Sequence, residues 1–315
     1  MGRPPKTFHD FIGQGRVVNH LQTLIDGAKA LGSACPSLML SAPSGFGKSA
    51  MAEAIAHEYG SNLHPLFAGR EAKAFDLASQ LLDLQFGDIL FIDEAHSLPH
   101  DAQELLLLAI DKRQVPTPRE EKLYRNHFSS IADLTLILAS NQQSGIATAL
   151  RNRLNTIEFE SYKVDELKAI AEREAVQFGR AITPQAARRL AEVAQGTPRG
   201  VNRMIRMLRY FFPGESRYSL EHVQQYLTSE GIDRHGLRPH QRNYLLTLAA
   251  SKDGSCTLTR LTAKLGLEAA VIRDEIEPYL LDRDFIDMVS SRGRTITATG
   301  RQLVNECHAV GGVEA

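Results

Sequence analysis

The chain has 315 residues, a length that predicts roughly two or three compact domains. Hydrophobic residues make up 43% and charged residues 23%, which excludes a disordered chain, a collagen and a disulfide scaffold. The 36 basic and 37 acidic residues leave a net charge of −1. No overall positive field therefore marks a nucleic-acid binder, and any contact with DNA depends on local patches.

Neither a membrane protein nor a secreted one is indicated. The longest apolar runs, such as residues 105–110, are far shorter than the roughly 20 residues that cross a bilayer. The first residues lack the apolar core of a secretory signal, so we expect a cytoplasmic protein. Cys35, Cys256 and Cys307 are far apart in the sequence, which argues against a zinc site and a disulfide framework.

The first 160 residues alternate short apolar runs with helical spacing. Residues 37–41 predict a strand that enters a loop of small residues, followed by a helix. Residues 89–92 and 134–139 predict two further strands, and a helix is expected over residues 101–111. This order predicts an α/β domain with a parallel sheet, in which ligands bind at the carboxyl ends of the strands.

The rest of the chain predicts two smaller domains. Every apolar series in residues 161–233 has helical spacing, so this part is expected to be all-helical. From residue 234 to 315 we predict helices over 238–251, 258–265 and 269–282, and then strands over 285–290 and 295–298. Three helices and a hairpin are typical of a winged helix-turn-helix, a motif that commonly docks on DNA.

Residues 42–49, with the letters APSGFGKS, fit a phosphate-binding loop in which Ala replaces the first Gly. In such a loop backbone N–H groups and a helix N-terminus surround the phosphates. Lys48 is expected to reach the β- and γ-phosphates, and the Ser49 hydroxyl to bind Mg²⁺. The residues predicted to bind nucleotide here are Ala42, Pro43, Ser44, Gly45, Phe46, Gly47, Lys48, Ser49 and Ala50.

Two carboxylates follow the second predicted strand. Asp93 is expected to hold Mg²⁺, and Glu94 to polarise the attacking water. The letters DEAH at residues 93–96 also spell a helicase box, but those helicases need a second sheet domain, which the helical pattern after residue 160 excludes. For His96 two interpretations stay open, a contact with the sensor region and a purely structural role.

Polar residues after the third strand are further candidates. Asn141 suits a side chain that orients the water, or a plain turn former. Arg151 and Arg153 end a short predicted helix, from which an arginine could reach the nucleotide of a neighbouring subunit or remain on the surface. Residues 196–199 begin a helix with Thr at the cap and Pro next, so that Arg199 projects from its first turn. Arg203 and Arg206 lie on the same face of the helix as Arg199. Some of these arginines are expected to form only a solvated stripe.

In these motifs the chain resembles AAA+ ATPases, and more narrowly the RuvB family of Holliday junction branch-migration motors. The segments that carry the resemblance are FIGQ (11–14), APSGFGKS (42–49), LFIDEAH (90–96), ALRNRL (149–154), GTPRGVNRMIRMLR (196–209), EPYLLDRDFI (277–286) and SSRGR (290–294).

The resemblance implies a P-loop domain, a helical lid with the second sensor, and a winged DNA-binding domain. It implies ATP and Mg²⁺ as cofactors and a hexameric ring acting on branched or duplex DNA. The roles implied for single residues are Ile12 on the adenine side, Lys48 and Ser49 on phosphate and Mg²⁺, Asp93 and Glu94 in catalysis, Asn141 as first sensor, Arg153 as arginine finger, Arg199 as second sensor, and Arg292 and Arg294 near DNA.

The sequence also departs from the family. Residues 95–98 read Ala-His-Ser-Leu where the family has Ile-His-Arg-Leu, and residues 139–141 read Ala-Ser-Asn where it has Ala-Thr-Thr. Residues 112–132 occupy the place of the hairpin that engages the junction-binding subunit RuvA, but they do not resemble it. The motor chemistry is therefore better supported than a RuvA-like partner, as in a divergent paralogue.

Two functions compete at this point. The first is an ATPase that drives DNA translocation, with hydrolysis at the subunit interfaces of a ring. The second is a nucleotide-controlled loader or regulator that binds DNA or a protein without processive movement. Arg292 and Arg294 suit phosphate contacts, but winged domains also bind proteins.

Overall fold

The structure, a computed structural model, describes residues 5–69, 72–119, 122–289 and 293–310. The elements of its first part are α1 (Gly15–Leu31), β1 (Leu38–Ser41), α2 (Lys48–Tyr59), β2 (Leu63–Phe67), α3 (Ala74–Asp83), β3 (Ile89–Asp93), α4 (His100–Lys112), β4 (Gln114–Arg119), β5 (Lys122–Ser130), β6 (Thr135–Ser140), α5 (Thr148–Arg151) and β7 (Asn155–Glu158).

Five of these strands form one parallel sheet in the order β2-β3-β6-β1-β7. Residues of β1, β3 and β6 are buried on both faces, because helices cover each side of the sheet. The three strands that the sequence predicted are therefore the central ones. β1, β3 and β6 end side by side, and the loops that follow them share one edge.

The segment between α4 and β6 is an antiparallel hairpin of β4 and β5. Its register shifts between Pro116 and Thr117, as expected where Pro lacks a backbone donor. The hairpin lies outside the parallel sheet. Its position in the chain matches the one that the resemblance assigns to a partner-binding hairpin.

The second part is built around four helices and a short strand pair. They are α6 (Val164–Gln177), β8 (Ala181–Ile182), α7 (Pro184–Val193), α8 (Pro198–Phe211), β9 (Arg217–Tyr218) and α9 (Leu220–Ser229). Thr183 and Thr197 cap α7 and α8 with their side chains, and Pro occupies the first position of both helices. The all-helical prediction missed the pair of two-residue strands, which are too short to give a sequence pattern.

The third part is a winged helix. It contains α10 (Pro239–Ala249), β10 (Ser255–Cys256), α11 (Leu258–Leu265), α12 (Ala269–Val271), a π-helical turn (Ile272–Ile276), α13 (Glu277–Asp282), β11 (Ile286–Val289), β12 (Gly293–Ile296) and α14 (Ala298–Val310). β10, β12 and β11 form an antiparallel sheet in that order. The sequence predicted the three helical segments and the hairpin but not β10 or α14.

The lid and the winged domain are joined closely. Arg189 of α7 donates to the carbonyl of Arg234 at 3.1 Å, and Gln195 Nε2 donates to the carbonyl of Gly236 at 3.0 Å. A Cβ at Gly236 would lie 3.0 Å from the Cα of Val193, so the two backbones nearly touch. This contact leaves little freedom between the two domains at this point.

The cysteines of the described residues lie in hydrophobic cores. Cys35 and Cys256 are free and buried, and burial raises the pKa of the Cys35 thiol to about 11. The side chain of Cys307 lies outside the described residues. Among the described residues, no His, Cys, Asp and Glu side chains form a group of three that could hold a metal. No helix within the residues that the structure describes is long and apolar enough to cross a membrane.

Candidate active site

A cavity of about 640 Å³ lies between the carboxyl edge of the parallel sheet and the lid. It is lined by backbone and side chains from three regions: the N-terminal segment, the loops after β1 and β3, and the lid helices α6 and α8. The residues predicted to bind nucleotide that line it are Ile12, Ser44, Gly45, Gly47, Lys48, Ser49, Ala50 and Arg199, together with the acidic pair Asp93 and Glu94.

The loop between β1 and α2 has the conformation that phosphate binding requires. Gly45 and Gly47 have φ angles of +88° and +95°, in the left-handed region that favours glycine. Lys48 is the first residue of α2, so the N-terminus of this helix and its free N–H groups point into the cavity. A helix N-terminus of this kind attracts anions through its dipole and its unpaired donors.

Lys48 is the buried cation of the loop. Its Nζ donates to the carbonyls of Ala42 and Pro43 at 2.8 and 3.2 Å. Burial lowers the pKa of Lys48, and the charges of Glu94 and Asp93 oppose this effect. Ala42 and Pro43 thus lie behind the cavity, where they position the ammonium group.

Ser49 and Asp93 meet at the end of β3. The Ser49 hydroxyl donates to Asp93 Oδ2 at 3.1 Å. A hydroxyl and a carboxylate oxygen are hard donors, and Mg²⁺ commonly takes only one or two protein ligands beside substrate phosphates. The pair therefore fits a magnesium ion bound together with a nucleotide.

Glu94 follows in a strained backbone conformation. Its φ of +54° lies in the left-handed region, which is unfavourable for a residue with a Cβ. The backbone N–H of Glu94 donates to Asp93 Oδ1 at 2.9 Å and thereby stabilises this turn. Such strain is typical of sites where the surrounding structure fixes a functional group.

The lid closes the cavity through Arg199. Its guanidinium donates to Ser44 Oγ at 2.7 Å, and its backbone N–H donates to the carbonyl of Gly45 at 3.3 Å. A Cβ at Gly45 would lie 2.9 Å from the Cβ of Arg199, so the loop and α8 are in direct contact. The structure thus brings the predicted second-sensor arginine to the phosphate loop of its own chain.

An aromatic contact supports the opposite side of the loop. Tyr162 donates its hydroxyl to the carbonyl of Phe46 at 3.1 Å, and the two rings meet edge to face with centroids 5.7 Å apart. Burial raises the pKa of Tyr162 to about 12. With Phe11 and Ile12 it gives the cavity an apolar wall, which suits the base of a nucleotide.

Sequence reasoning missed a polar wall on the lid side. Glu174, Asn202, Arg203 and Arg206 all line the cavity. Burial raises the pKa of Glu174, which is only 3% exposed. The signal was present in the sequence, because Glu174 occupies the apolar face of a helix, and Arg203 and Arg206 lie one and two turns after Arg199. Arg203 is exposed and Arg206 is partly buried, so the expectation of a partly solvated stripe is compatible with their place at the cavity.

Two predicted residues lie away from this cavity. Asn141 directly follows β6 and is exposed. Arg153 forms a two-bond pair with the carboxylate of Asp111, with distances of 3.1 and 3.2 Å. Neither residue lines the cavity of its own chain, so the sensor role of Asn141 and the finger role of Arg153 stay predictions.

Arg294, which was predicted to contact DNA, has a partner inside its own domain. Its guanidinium donates to both carboxylate oxygens of Glu277, at 2.8 and 3.2 Å, and Tyr244 donates to the same carboxylate at 2.8 Å. The side chains of Arg294 and Glu277 are 16% and 2% exposed. Arg294 is therefore held inside the winged domain by an ion pair. Arg292 lies outside the described residues.

Comparisons with known proteins give a family model for each of the three parts of the chain. The family model of the Holliday junction DNA helicase RuvB P-loop domain matches residues 3–159. The models of the RuvB AAA lid domain and the RuvB C-terminal winged helix domain match residues 162–233 and 234–305.

Related proteins and solved structures that match this chain are also named RuvB. A Holliday junction branch migration complex subunit RuvB from Lactobacillus delbrueckii is 33% identical over 307 residues, which cover 96% of this chain and 91% of that protein. One from Kosmotoga olearia is 34% identical and covers 93% and 87%. The structure of the Thermotoga maritima RuvB Holliday junction branch migration motor is 31% identical, with a TM-score of 0.85 over 96% of this chain and 98% of that one. The chain therefore belongs to the RuvB family of P-loop ATPases.

Proposed function

We propose that this protein is an ATP-driven translocase on branched or duplex DNA, which hydrolyses ATP at the subunit interfaces of a hexameric ring. The main support is the meeting of Lys48, Ser49, Asp93 and Glu94 at one end of the sheet, beneath the lid residue Arg199. This arrangement places groups suited to phosphate, a pair suited to a metal ion and a further carboxylate in one cavity. The relatives are branch-migration subunits, which supports DNA as the substrate that moves.

In this proposal each side chain acts on the phosphate end of ATP. Lys48 and Arg199 hold the phosphates, and Ser49 and Asp93 hold Mg²⁺, which neutralises charge that develops on the phosphate oxygens when it is bound. Glu94 accepts a proton from the attacking water. Asn141 orients that water, and Arg153 reaches the nucleotide of the adjacent subunit.

Two surfaces support the proposed partners, DNA and a junction-binding subunit. The winged domain is the proposed DNA-binding part, with Arg292 as its phosphate contact. The β4–β5 hairpin exposes Phe128, which is 51% accessible, and offers an apolar anchor for a junction-binding subunit of the RuvA kind. Further copies of this chain form the other subunits of the proposed ring.

The test measures ATPase activity with and without a synthetic four-way DNA junction, together with branch migration of that junction. We expect the wild-type protein to hydrolyse ATP, to be stimulated by the junction, and to migrate it. Lys48→Ala should lose nucleotide binding, whereas Glu94→Gln should bind ATP and hydrolyse it at least 100-fold more slowly.

The outcomes separate the two competing functions. ATP turnover without any movement of the branch point, in the presence of an added junction-binding subunit, would favour a loader or regulator. Normal turnover by both purified variants would contradict the assignment of the catalytic site itself.

A further inference from the structure

We infer that His96 is a positioning residue for the catalytic carboxylate of Glu94, acting through the proton on its Nδ1 atom. This inference rests on the proposed role of Glu94 in ATP hydrolysis and adds a residue to it. His96 lies in a single 3₁₀ turn, Ala95–Ser97, which directly follows Glu94. Its Nδ1 lies 3.2 Å from Ser140 Oγ and 3.6 Å from Glu94 Oε2.

The hydrogen bonds of Ser140 decide which atom carries the proton. The Ser140 hydroxyl donates its single hydrogen to the carbonyl of Gln142 at 2.9 Å, and it accepts from the backbone N–H of Gln142 at 2.9 Å. Ser140 is fully buried. With the hydroxyl hydrogen directed to the carbonyl of Gln142, one lone pair of the oxygen is left, and the tautomer that fits this contact carries its proton on His96 Nδ1.

That proton lies between one acceptor that it reaches and a second that is close by. Nδ1–H forms a hydrogen bond with Ser140 and lies within ion-pair distance of Glu94 Oε2. At 3.6 Å the second contact is too long for a hydrogen bond, and a small rotation of the Glu94 side chain would complete it. Glu94 thus has a donor beside one oxygen, which leaves the other oxygen directed to accept a proton from water.

The surrounding loop holds His96 in this place. A Cβ at Gly145 would lie 2.6 Å from the Cβ of His96, so the segment after β6 is pressed against the histidine. Gln103 of α4 fixes that segment, because its Nε2 donates to the carbonyl of Gly145 at 3.1 Å and its Oε1 accepts from Ala147 at 2.7 Å. The His96 side chain is only 18% exposed, which limits competition from water.

The test uses three substitutions of His96 that differ in where they place a donor. In Asn the amide nitrogen takes the position of Nδ1, in Gln it takes the position of Nε2, and Ala has neither. We expect His96→Asn to keep at least one third of the wild-type kcat. His96→Ala and His96→Gln should lose between about 10- and 100-fold in kcat, while the affinity for ADP, measured by calorimetry, stays within twofold.

Two further measurements separate positioning from a general structural effect. In the background of Glu94→Gln, His96→Ala should change the residual turnover by less than twofold, because the group that it positions is already altered. Gly145→Ala should displace His96 and lower kcat, whereas Gly27→Ala, where a Cβ meets nothing within 4 Å, should not.

Each contrary result has a defined meaning. The inference is wrong if the Asn, Gln and Ala variants are equally active or equally inactive, or if the affinity for ADP falls in parallel with kcat. If the wild-type protein does not hydrolyse ATP, or if Glu94→Gln has no effect, the proposed function fails instead. A loss in Glu94→Gln with normal activity in all three His96 variants refutes the role of His96 alone.

Discussion

Arg294 and Glu277 are 17 residues apart in the chain, yet their side chains form a buried ion pair, 16% and 2% exposed. From the sequence alone, the arginines that flank Gly293 in the hairpin suited phosphate contacts, and a protein-binding wing stayed open. The carboxylate that Arg294 faces lies on α13, and no local pattern reveals a partner at that distance. Disruption of the pair should therefore destabilise the winged domain, and a phosphate would have to compete with Glu277 for the arginine.

At the residue scale we predict that Arg294→Ala leaves a buried carboxylate without its cation. Removal of one partner of a buried pair costs about 3 kcal/mol in the free energy of unfolding. The exposed Arg260 is the matched control, and Arg260→Ala should cost less than about 0.5 kcal/mol. Because the chain has no Trp, unfolding in urea is followed by circular dichroism.

The same variants test the older interpretation of this arginine. Unchanged stability of Arg294→Ala, combined with weaker binding to duplex DNA, would restore Arg294 as a phosphate contact. A loss of stability with DNA affinity reduced only in proportion to unfolding supports the internal pair.

At the scale of elements, the sequence predicted those strands that are buried on both faces. β1, β3 and β6 are continuous apolar runs, because helices cover both sides of the sheet. The edge strands β2 and β7 were missed. Most residues of β7 are exposed, and β2 contains Pro65, so neither forms the apolar run that marks a central strand.

The residues of the candidate site likewise fall into those that the sequence predicted and those that it missed. The sequence predicted that Lys48 and Ser49 lie close to Asp93 and Glu94, because the chemistry of each motif is local. Ala42, Pro43 and Phe46, also predicted to bind nucleotide, do not line the cavity. The lid wall of Glu174, Asn202 and Arg206 was not predicted, since these side chains reach the cavity only through the packing of α6 and α8 over the sheet.

The contact between the phosphate loop and α8 gives a prediction about these two elements. Gly45→Ala places a Cβ 2.9 Å from Arg199 Cβ and should push the lid away from the loop. We expect the affinity for ADP, measured by calorimetry, to fall at least 10-fold, about 1.4 kcal/mol.

Gly60→Ala is the matched control. Gly60 has a φ of +84°, close to the +88° of Gly45, but a Cβ there meets nothing within 4 Å. Both variants carry a similar backbone strain of about 1–2 kcal/mol, so both should melt at lower temperature, and only Gly45→Ala should bind ADP weakly. Equal losses of affinity in the two variants would show that backbone strain, not the contact with α8, is the cause.

At the scale of the whole molecule, we predict that Arg153 acts across a subunit interface. Arg153→Ala should bind ATP through Lys48 and hydrolyse it poorly, and Glu94→Gln should lack the catalytic carboxylate while it retains the arginine. In mixed rings some interfaces combine an intact Glu94 with an intact Arg153 from the neighbour. ATPase activity should therefore partly recover when the two variants are mixed.

Subunit exchange must first be demonstrated, for example by size analysis of tagged mixtures. A mixture that exchanges subunits but stays as inactive as either parent contradicts a finger in trans. Wild-type activity per subunit that does not depend on concentration, down to the monomer, contradicts the ring.

A second molecular prediction concerns alkaline pH. Burial raises the pKa of Tyr162 and of Tyr226 to about 12, above the value near 10 of an unfolded chain. The folded state therefore holds these protons longer, and the stability that they contribute is present below pH 10 and lost as the pH rises toward 12.

For Tyr226, which is 1% exposed, the expected loss between pH 8 and pH 10.5 is roughly 1 kcal/mol in the free energy of unfolding. Tyr226→Phe should reduce the loss, whereas Tyr210→Phe, at a tyrosine that is 72% exposed, should not. A pH dependence of unfolding that is identical in wild type and Tyr226→Phe contradicts this assignment.

The close junction between α7 and the segment around Gly236 has a thermodynamic consequence. The lid is bonded on one side to the winged domain through Arg189 and Gln195, and on the other to the phosphate loop through Arg199. A load that shifts the winged domain must also shift Arg199 and thereby change the binding free energy of the nucleotide. Linkage is reciprocal. If displacement of the winged domain weakens nucleotide binding by a given free energy, nucleotide binding opposes that displacement by the same free energy.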